Sequence, residues 1–146
     1  MLYGLIGEKL GHSYSCEIHE KIADYHYKLR EIPREELADF FAKRDFKGIN
    51  VTIPYKEAVM PLLDEISDTA KAVGAVNTVV NRGGRLYGYN TDLAGMTAML
   101  RRAGIDPSGK KALVLGTGGT SKTARAVLKS LGAASITLVS RSGREA

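Results

Sequence analysis

Gly48-Ile49-Asn50-Val51-Thr52-Ile53-Pro54-Tyr55-Lys56-Glu57 decides the fold of this chain. Ile49, Val51 and Ile53 alternate with polar residues, the period of a strand with one buried face. Pro54 ends the run, because proline brings no N–H to a ladder and its fixed φ suits the first position of a helix. The pattern predicts a strand followed directly by a helix, with Lys56 in the first helical turn. An ammonium there meets the partial positive charge of a helix N-terminus. That field, with any burial, would draw the lysine toward the range of proton transfer at neutral pH. The plainer alternative is a solvated lysine at a strand–helix junction.

Toward the N-terminus, Leu2–Ile6 reads as a short buried strand ended by Gly7, and residues 8–14 as a loop. Ser15 is placed to N-cap a helix running to about Ala23, with Ile18, Ile22 and Ala23 on one face. Tyr25–Ile32 alternates as a strand. Pro33 opens a helix whose apolar stripe is Leu37, Phe40 and Phe41. Beyond the opening stretch, residues 59–67 read as short helical or turn pieces broken by Pro61, and residues 68–73 as a helix ended by Gly74. Ala75–Val80 and Arg85–Tyr89 pair as a hairpin around Arg82-Gly83-Gly84. Asn90-Thr91-Asp92 caps a helix to about Ala103, with Gly104 as its stop. After a break at Pro107-Ser108-Gly109 come a strand (Lys111–Leu115), a glycine turn, a helix from about Ser121 to Leu131, and a strand (Ala134–Val139).

Strands alternating with helices predict an α/β fold with a mostly parallel sheet. Two regions follow: a three-layer α/β domain over residues 1–102, and a strand–helix–strand unit over residues 103–146. The helix near residues 91–103 joins them.

The chain has 146 residues, 44% apolar and 25% charged, the composition of a globular protein. It has no run of 18 apolar residues, so no membrane span is expected, and the N-terminus lacks the basic and apolar regions of a secretory signal. A single cysteine, Cys16, rules out an intrachain disulfide framework and suits the cytoplasm. His12, His19 and His26 are spaced by seven, which makes no metal set. Charge is uneven: net −2 over residues 1–100 and +7 over residues 101–146. The basic third calls for an anionic partner, either nucleic acid or a phosphate-bearing cofactor. It has no interleaved aromatics and no nucleic-acid motif, which favours the small phosphate ligand.

Gly116-Thr117-Gly118-Gly119-Thr120 sits between a strand and a helix, with a second strand about twenty residues on, the setting of a dinucleotide-binding turn. Gly116 permits the tight turn, Gly118 lets backbone approach a pyrophosphate, and the helix N-terminus supplies N–H donors. Ser121 holds the third glycine position, and the plain alternative is a tight strand–helix loop. After the second strand, Ser140-Arg141-Ser142 offers a guanidinium and two hydroxyls where an acidic residue would hold a ribose 2′-hydroxyl. That set suits a 2′-phosphate, so NADP is expected over NAD. Ser13 and Ser15, two apart at a helix start, can bind a carboxylate or can be ordinary capping residues. Asn77 is an amide within a β-branched run. Asp92 is an acid in a first helical turn, a common stabilising position.

In order, these segments resemble the shikimate dehydrogenase family. The matching residues are Gly7 with His12-Ser13-x-Ser15 and His19; Asn50-Val51-Thr52-Ile53-Pro54-Tyr55-Lys56-Glu57; Gly74-Ala75-Val76-Asn77-Thr78; Gly88-x-Asn90-Thr91-Asp92-x-x-Gly95; Gly116-x-Gly118-Gly119; and Ser140-Arg141. The resemblance implies an N-terminal α/β domain that binds shikimate and the start of a Rossmann domain that binds NADP. It implies a reaction, the reversible oxidation of the shikimate C3 hydroxyl to 3-dehydroshikimate. Lys56 would exchange a proton with that hydroxyl and Asp92 would be its partner. Ser13 and Ser15 would hold the carboxylate, and Thr52, Asn77 and Asp92 the ring hydroxyls. Gly118 and Gly119, within Gly116–Thr120, would take the pyrophosphate, and Arg141, flanked by Ser140 and Ser142, the 2′-phosphate.

The sequence departs from the family pattern at three points. Cys16 stands where proline is usual, and Lys122 where arginine often follows the glycine turn. Residues 104–146 supply only one strand–helix–strand, so the chain reads as the N-terminal half of such an enzyme, inactive on its own and with an exposed half-sheet prone to association. The oligomeric expectation is a monomer or homodimer. Rival readings are a quinate/shikimate dehydrogenase using NAD and a non-catalytic binding homologue.

Overall fold

The computed structural model describes residues 2–11 and 13–140. Strand β1 (Tyr3–Gly7) is followed by helix α1 (Ser15–Ile22), strand β2 (Tyr27–Glu31), a short 3₁₀ turn at Arg34–Glu36, and helix α2 (Leu37–Lys43). Strand β3 (Gly48–Val51) leads through turns to the two-residue strand β4 (Glu65–Ile66), helix α3 (Asp68–Val73) and the hairpin β5 (Thr78–Arg82) and β6 (Arg85–Tyr89). Helix α4 (Asp92–Arg102), strand β7 (Lys111–Leu115), helix α5 (Gly119–Ser130) and strand β8 (Ser135–Val139) follow. By packing, the chain falls into two units. The residues up to Lys71 with Ala75–Asn90 form one, and Ala72–Gly74 with the residues from Thr91 onward form the other.

The first unit is built on a six-stranded sheet in the order β2-β1-β3-β5-β6-β4. β1 pairs in parallel with β2 and β3, and β4 with β6, while the β5–β6 hairpin runs antiparallel to β3. The hairpin forms where expected, since Gly83 and Gly84 turn with φ of 59° and 86°, values that favour glycine. The core is apolar and contiguous: Ile6, Ile32, Phe41, Ile49, Val51, Tyr55, Val59, Val79 and Leu86 are all buried. α2 contributes Leu37, Phe40 and Phe41, the stripe its spacing predicted.

α1 departs from expectation. Ile18 and Ile22 are 53% and 70% exposed. Instead, Cys16 and His19, three apart and half-buried, face β2. The helix meets the edge strand through polarizable and aromatic groups rather than through its isoleucines.

In the second unit, β7 and β8 pair in parallel from Lys111↔Ser135 to Leu115↔Val139. α5 packs on both strands and against α4. Strand alternation sorts the sheet into two faces. Ala112, Val114, Ile136 and Leu138 are half-buried, whereas Leu113, Leu115 and Val139 are 63%, 77% and 47% exposed. The helix expected over 91–103 is α4, and Gly104 ends it at φ 66°.

Candidate functional site

In the first unit the chain leaves β1 toward β2 on one side, then returns to β3 on the other. Where strand order reverses in this way, loops at the carboxyl ends of neighbouring parallel strands diverge and open a crevice. Residues 8–14 leave the end of β1, and residues 52–56 leave the end of β3. β5 runs the opposite way, with Thr78 opposite Asn50, so Asn77-Thr78 stands at the same end. Thr52, Lys56 and Asn77 are thereby gathered at the end of the sheet where β1 and β3 finish, and the loop leaving β1 leads on to Ser13 and Ser15.

Backbone bonds hold these loops together. The Thr52 N–H donates to the Ile6 carbonyl at 2.9 Å, and the Val76 N–H to the Lys56 carbonyl at 2.7 Å. The Val51 N–H reaches the Asn77 carbonyl at 2.8 Å, and the Asn77 N–H the Tyr89 carbonyl at 3.0 Å. Gly7 makes the approach possible: a Cβ there would lie 2.8 Å from both Leu10 Cδ2 and Thr52 Cγ2, and 3.2 Å from the Ile53 carbonyl oxygen. Tyr55, 1% exposed, donates its hydroxyl to the Ile32 carbonyl at 2.6 Å. Burial pushes that phenol above its usual range. Lys56 is thus bracketed by two buried residues, Tyr55 and Val59, while being half-buried itself.

Two expectations need correction here. No helix follows Pro54: the strand ends at Val51, the Ile53–Pro54 peptide is cis, and residues 56–59 are turns leading into a 3₁₀ turn at Met60–Leu62. Pro61 is the reason, since it has no N–H to continue an α-helix from Glu57 and its ring clashes with the preceding turn. Met60 and Leu62 bond three residues back instead, to the Glu57 and Val59 carbonyls. The helix field invoked for Lys56 is therefore absent. At α1, Ser15 is the first helical residue rather than the cap. The cap position is Tyr14, and the Ser13 hydroxyl accepts the Ser15 N–H at 3.2 Å.

Polar contacts join the strands beneath Asn77, which is 7% exposed. The Tyr27 hydroxyl donates to Asn50 Oδ1 at 2.7 Å, Asn50 Nδ2 donates to Thr78 Oγ1 at 3.1 Å, and the Thr78 hydroxyl donates to Asn77 Oδ1 at 3.0 Å. Tyr27, Tyr55, Asn50 and Thr78 were not expected as supporting residues. The available signal was Asn50, a polar amide inside an apolar-alternating strand. Among the described residues no group of three or more His, Cys, Asp or Glu could hold a metal ion, and no helix is long and apolar enough to cross a membrane.

In the second unit, Asp92 lies in the first turn of α4 and is half-buried. The glycine turn links β7 directly to α5. Gly116 adopts φ 103°, and Gly118 occupies the cap position of the twelve-residue α5 with no side-chain cap bond. The helix starts at Gly119, two residues before the expected position. A Cβ on Gly116, Gly118 or Gly119 would meet nothing within 4 Å. Gly116 is required by its φ, whereas packing does not demand glycine at 118 or 119, where the space beside the backbone is open. This fits a diphosphate held by Gly116, Thr117, Gly118, Gly119 and Thr120. Ser140 follows β8, whereas Arg141 and Ser142 lie outside the described residues.

The family described as "Shikimate dehydrogenase substrate binding domain" matches residues 5–79. The "Shikimate dehydrogenase (NADP(+))" of Clostridium perfringens strain SM101 is 46% identical, covering 96% of this chain and 55% of that protein. A crystal structure of shikimate dehydrogenase 1 from Peptoclostridium difficile superposes with a TM-score of 0.93 at 40% identity, covering 99% of this chain and 57% of that one. Shikimate 5-dehydrogenase from Thermus thermophilus, in complex with NADP(H) and shikimate, superposes with a TM-score of 0.85 at 34% identity, covering 97% and 57% of the two chains. The chain thus spans about half the length of the relatives it matches.

Proposed function

Because the chain belongs to the shikimate dehydrogenase family, whose substrate-binding domain matches residues 5–79, we propose that its first region, residues 1–102, binds shikimate. Residues 103–146 take part in binding NADP. Together they serve the reversible oxidation of shikimate to 3-dehydroshikimate in aromatic amino-acid biosynthesis. One observation carries this reading. Thr52 and Lys56 on one side and Asn77 on the other come from separate segments, yet the antiparallel pairing of β5 with β3 brings them to the end of the sheet where β1 also finishes, and from there the chain leads on to Ser13 and Ser15.

Shikimate carries a carboxylate and ring hydroxyls. Ser13 and Ser15, at the start of α1, supply hydroxyls and helix N–H groups to the carboxylate. Thr52 and Asn77 address ring hydroxyls. Lys56, as the neutral amine, accepts the proton of the C3 hydroxyl as it is oxidised and returns it in the reverse direction. For Asp92 the proposal rests on the motif Asn90-Thr91-Asp92. When bound, the nicotinamide cofactor supplies the hydride acceptor. Gly116–Thr120 would hold its diphosphate, and Ser140, Arg141 and Ser142 its 2′-phosphate, which favours NADP over NAD. The cytoplasm is the proposed setting, and a monomer or homodimer the proposed assembly.

Calorimetric titration of the chain with shikimate, beside Ser15→Ala and Lys56→Ala, tests the reading. Saturable binding weakened by Ser15→Ala is expected, with quinate weaker than shikimate. No saturable binding, or binding indifferent to both substitutions, would refute it. For the cofactor, NADP⁺ is expected to bind more tightly than NAD⁺, with Arg141→Ala abolishing the preference. Equal binding of the two would overturn the NADP assignment.

A further inference from the structure

We infer that His19 is a positioning residue for the carboxylate end of the proposed shikimate site: by docking α1 on the sheet edge it fixes the roll of that helix, and with it the place of Ser15. This inference rests on the proposed role of Ser15 and deepens it.

α1 has eight residues and fully buries none of them. A helix of that length is marginal in water by itself, so its order and its roll about its own axis come from what it docks on. Its most apolar residues do not supply that docking. Ile18 and Ile22, four apart, form a stripe that is left exposed. α1 packs on β2 through the neighbouring stripe, Cys16 and His19. His19 is one residue beyond Ile18, about 100° further around the helix. Burial of the isoleucines would favour a roll of that size, and Ser15 would turn with the helix. A contact with a fixed direction is needed to oppose it.

His19 makes that contact. Its ring lies on the buried Tyr27 ring, with centroids 3.8 Å apart and planes 9° from parallel. The Tyr25 ring meets it edge-on at 5.8 Å, and the Tyr25 hydroxyl and His19 Nδ1 form a hydrogen bond. Tyr25 in turn rests against Tyr3 of β1, with ring centroids 4.9 Å apart. A group stacked on one ring and hydrogen-bonded to another is held in direction as well as distance, whereas apolar burial is non-directional. The Cys16 thiol adds a bond to the Tyr27 carbonyl at 3.4 Å. Ser15, half-buried, stands four residues before His19, so the two lie on successive turns of one helix face. The anchor is thus one turn from the group it places.

Two readouts on the full chain test this. In the first, without ligand, hydrogen exchange of the α1 amides is compared with that of β1 and β3. His19→Ala is expected to speed exchange in α1 roughly tenfold, the scale of one ring pair with one hydrogen bond, and to leave β1 and β3 unchanged. Tyr25→Phe, which keeps the rings and removes the hydroxyl, should speed it about threefold, and decides the matter if His19→Ala does not fold. Unchanged exchange in α1, or an equal rise in all three elements, would overturn the inference. In the second, His19→Ala is expected to raise the shikimate Kd by roughly fivefold, and His19→Phe, which keeps a ring on Tyr27, to recover most of the loss. On a Ser15→Ala background His19→Ala should have less than about a twofold effect, because residues that act through one another are non-additive. Equal effects in both backgrounds would overturn it. If the unsubstituted chain fails to bind shikimate, the functional reading falls, and amide exchange alone judges the docking of α1 by His19.

Discussion

Gly7→Ala puts the convergence of the two loops under direct strain. The added methyl would stand 2.8 Å from Leu10 Cδ2, 2.8 Å from Thr52 Cγ2 and 3.2 Å from the Ile53 carbonyl oxygen. Leu10 can swing its side chain away. Thr52 is β-branched and stiff at χ1, and the Ile53 carbonyl is backbone, so relief falls on the loop that carries the site. Overpacking of this kind costs about 1–3 kcal/mol. Alanine in a strand regains about 0.5–1 kcal/mol over glycine. Taken at the midpoints, the difference leaves a net destabilisation of about 1 kcal/mol, a drop in urea midpoint of roughly 0.5 M at a slope of about 2 kcal/mol per molar. Gly11→Ala is the control, since a Cβ there meets nothing within 4 Å. It should stay within about 0.5 kcal/mol of the unsubstituted chain. Gly7→Ala should also weaken shikimate binding, because Thr52 must move. Urea unfolding curves in which the two alanines behave alike would show that Gly7 is not held by close contact with Thr52 and Ile53.

Tyr55→Phe leaves the Ile32 carbonyl without its 2.6 Å donor in the core, and should destabilise the chain by about 1–3 kcal/mol in the same assay. Asp64 accepts the Leu86 N–H at 2.7 Å and pairs with Arg44 at 2.8 Å, which together hold its carboxyl below the ordinary value of 3.8. A carboxyl lowered by folding adds stability above its unfolded pKa and loses it as the pH falls through the folded value. The advantage over Asp64→Asn should therefore be full at pH 6–7 and fade below 3.8, as stability against pH will record. Leu113 and Leu115 expose apolar surface on the outer face of β7. Replacing both with lysine should reduce concentration-dependent association in sedimentation velocity.

The sequence was most legible where period and punctuation agreed. Alternation drew β3, paired glycines drew the β5–β6 hairpin, and Leu37, Phe40 and Phe41 drew the buried face of α2. Pro54 was misleading, because the next proline governs its neighbourhood: Pro61 prevents the helix that Pro54 alone would allow. α1 misled differently. Its isoleucines have helical spacing, but spacing does not say which stripe the sheet will cover, and Cys16 and His19 take that place. The site residues were legible as motifs, whereas their supports were not. The donation from Tyr27 to Asn50 spans 23 positions of sequence. It exists only because β1 lies between β2 and β3, a strand order that local patterns do not encode.

The proposed shikimate site draws on loops from β1, β3 and the start of β5. A backbone ¹⁵N shift map of the full chain during shikimate titration should show saturable shifts concentrated at residues 13–15, 50–56 and 76–78, with Tyr14, Thr52 and Asn77 among the largest. Shifts scattered without these three segments, or no saturable shift at all, would contradict the proposed site.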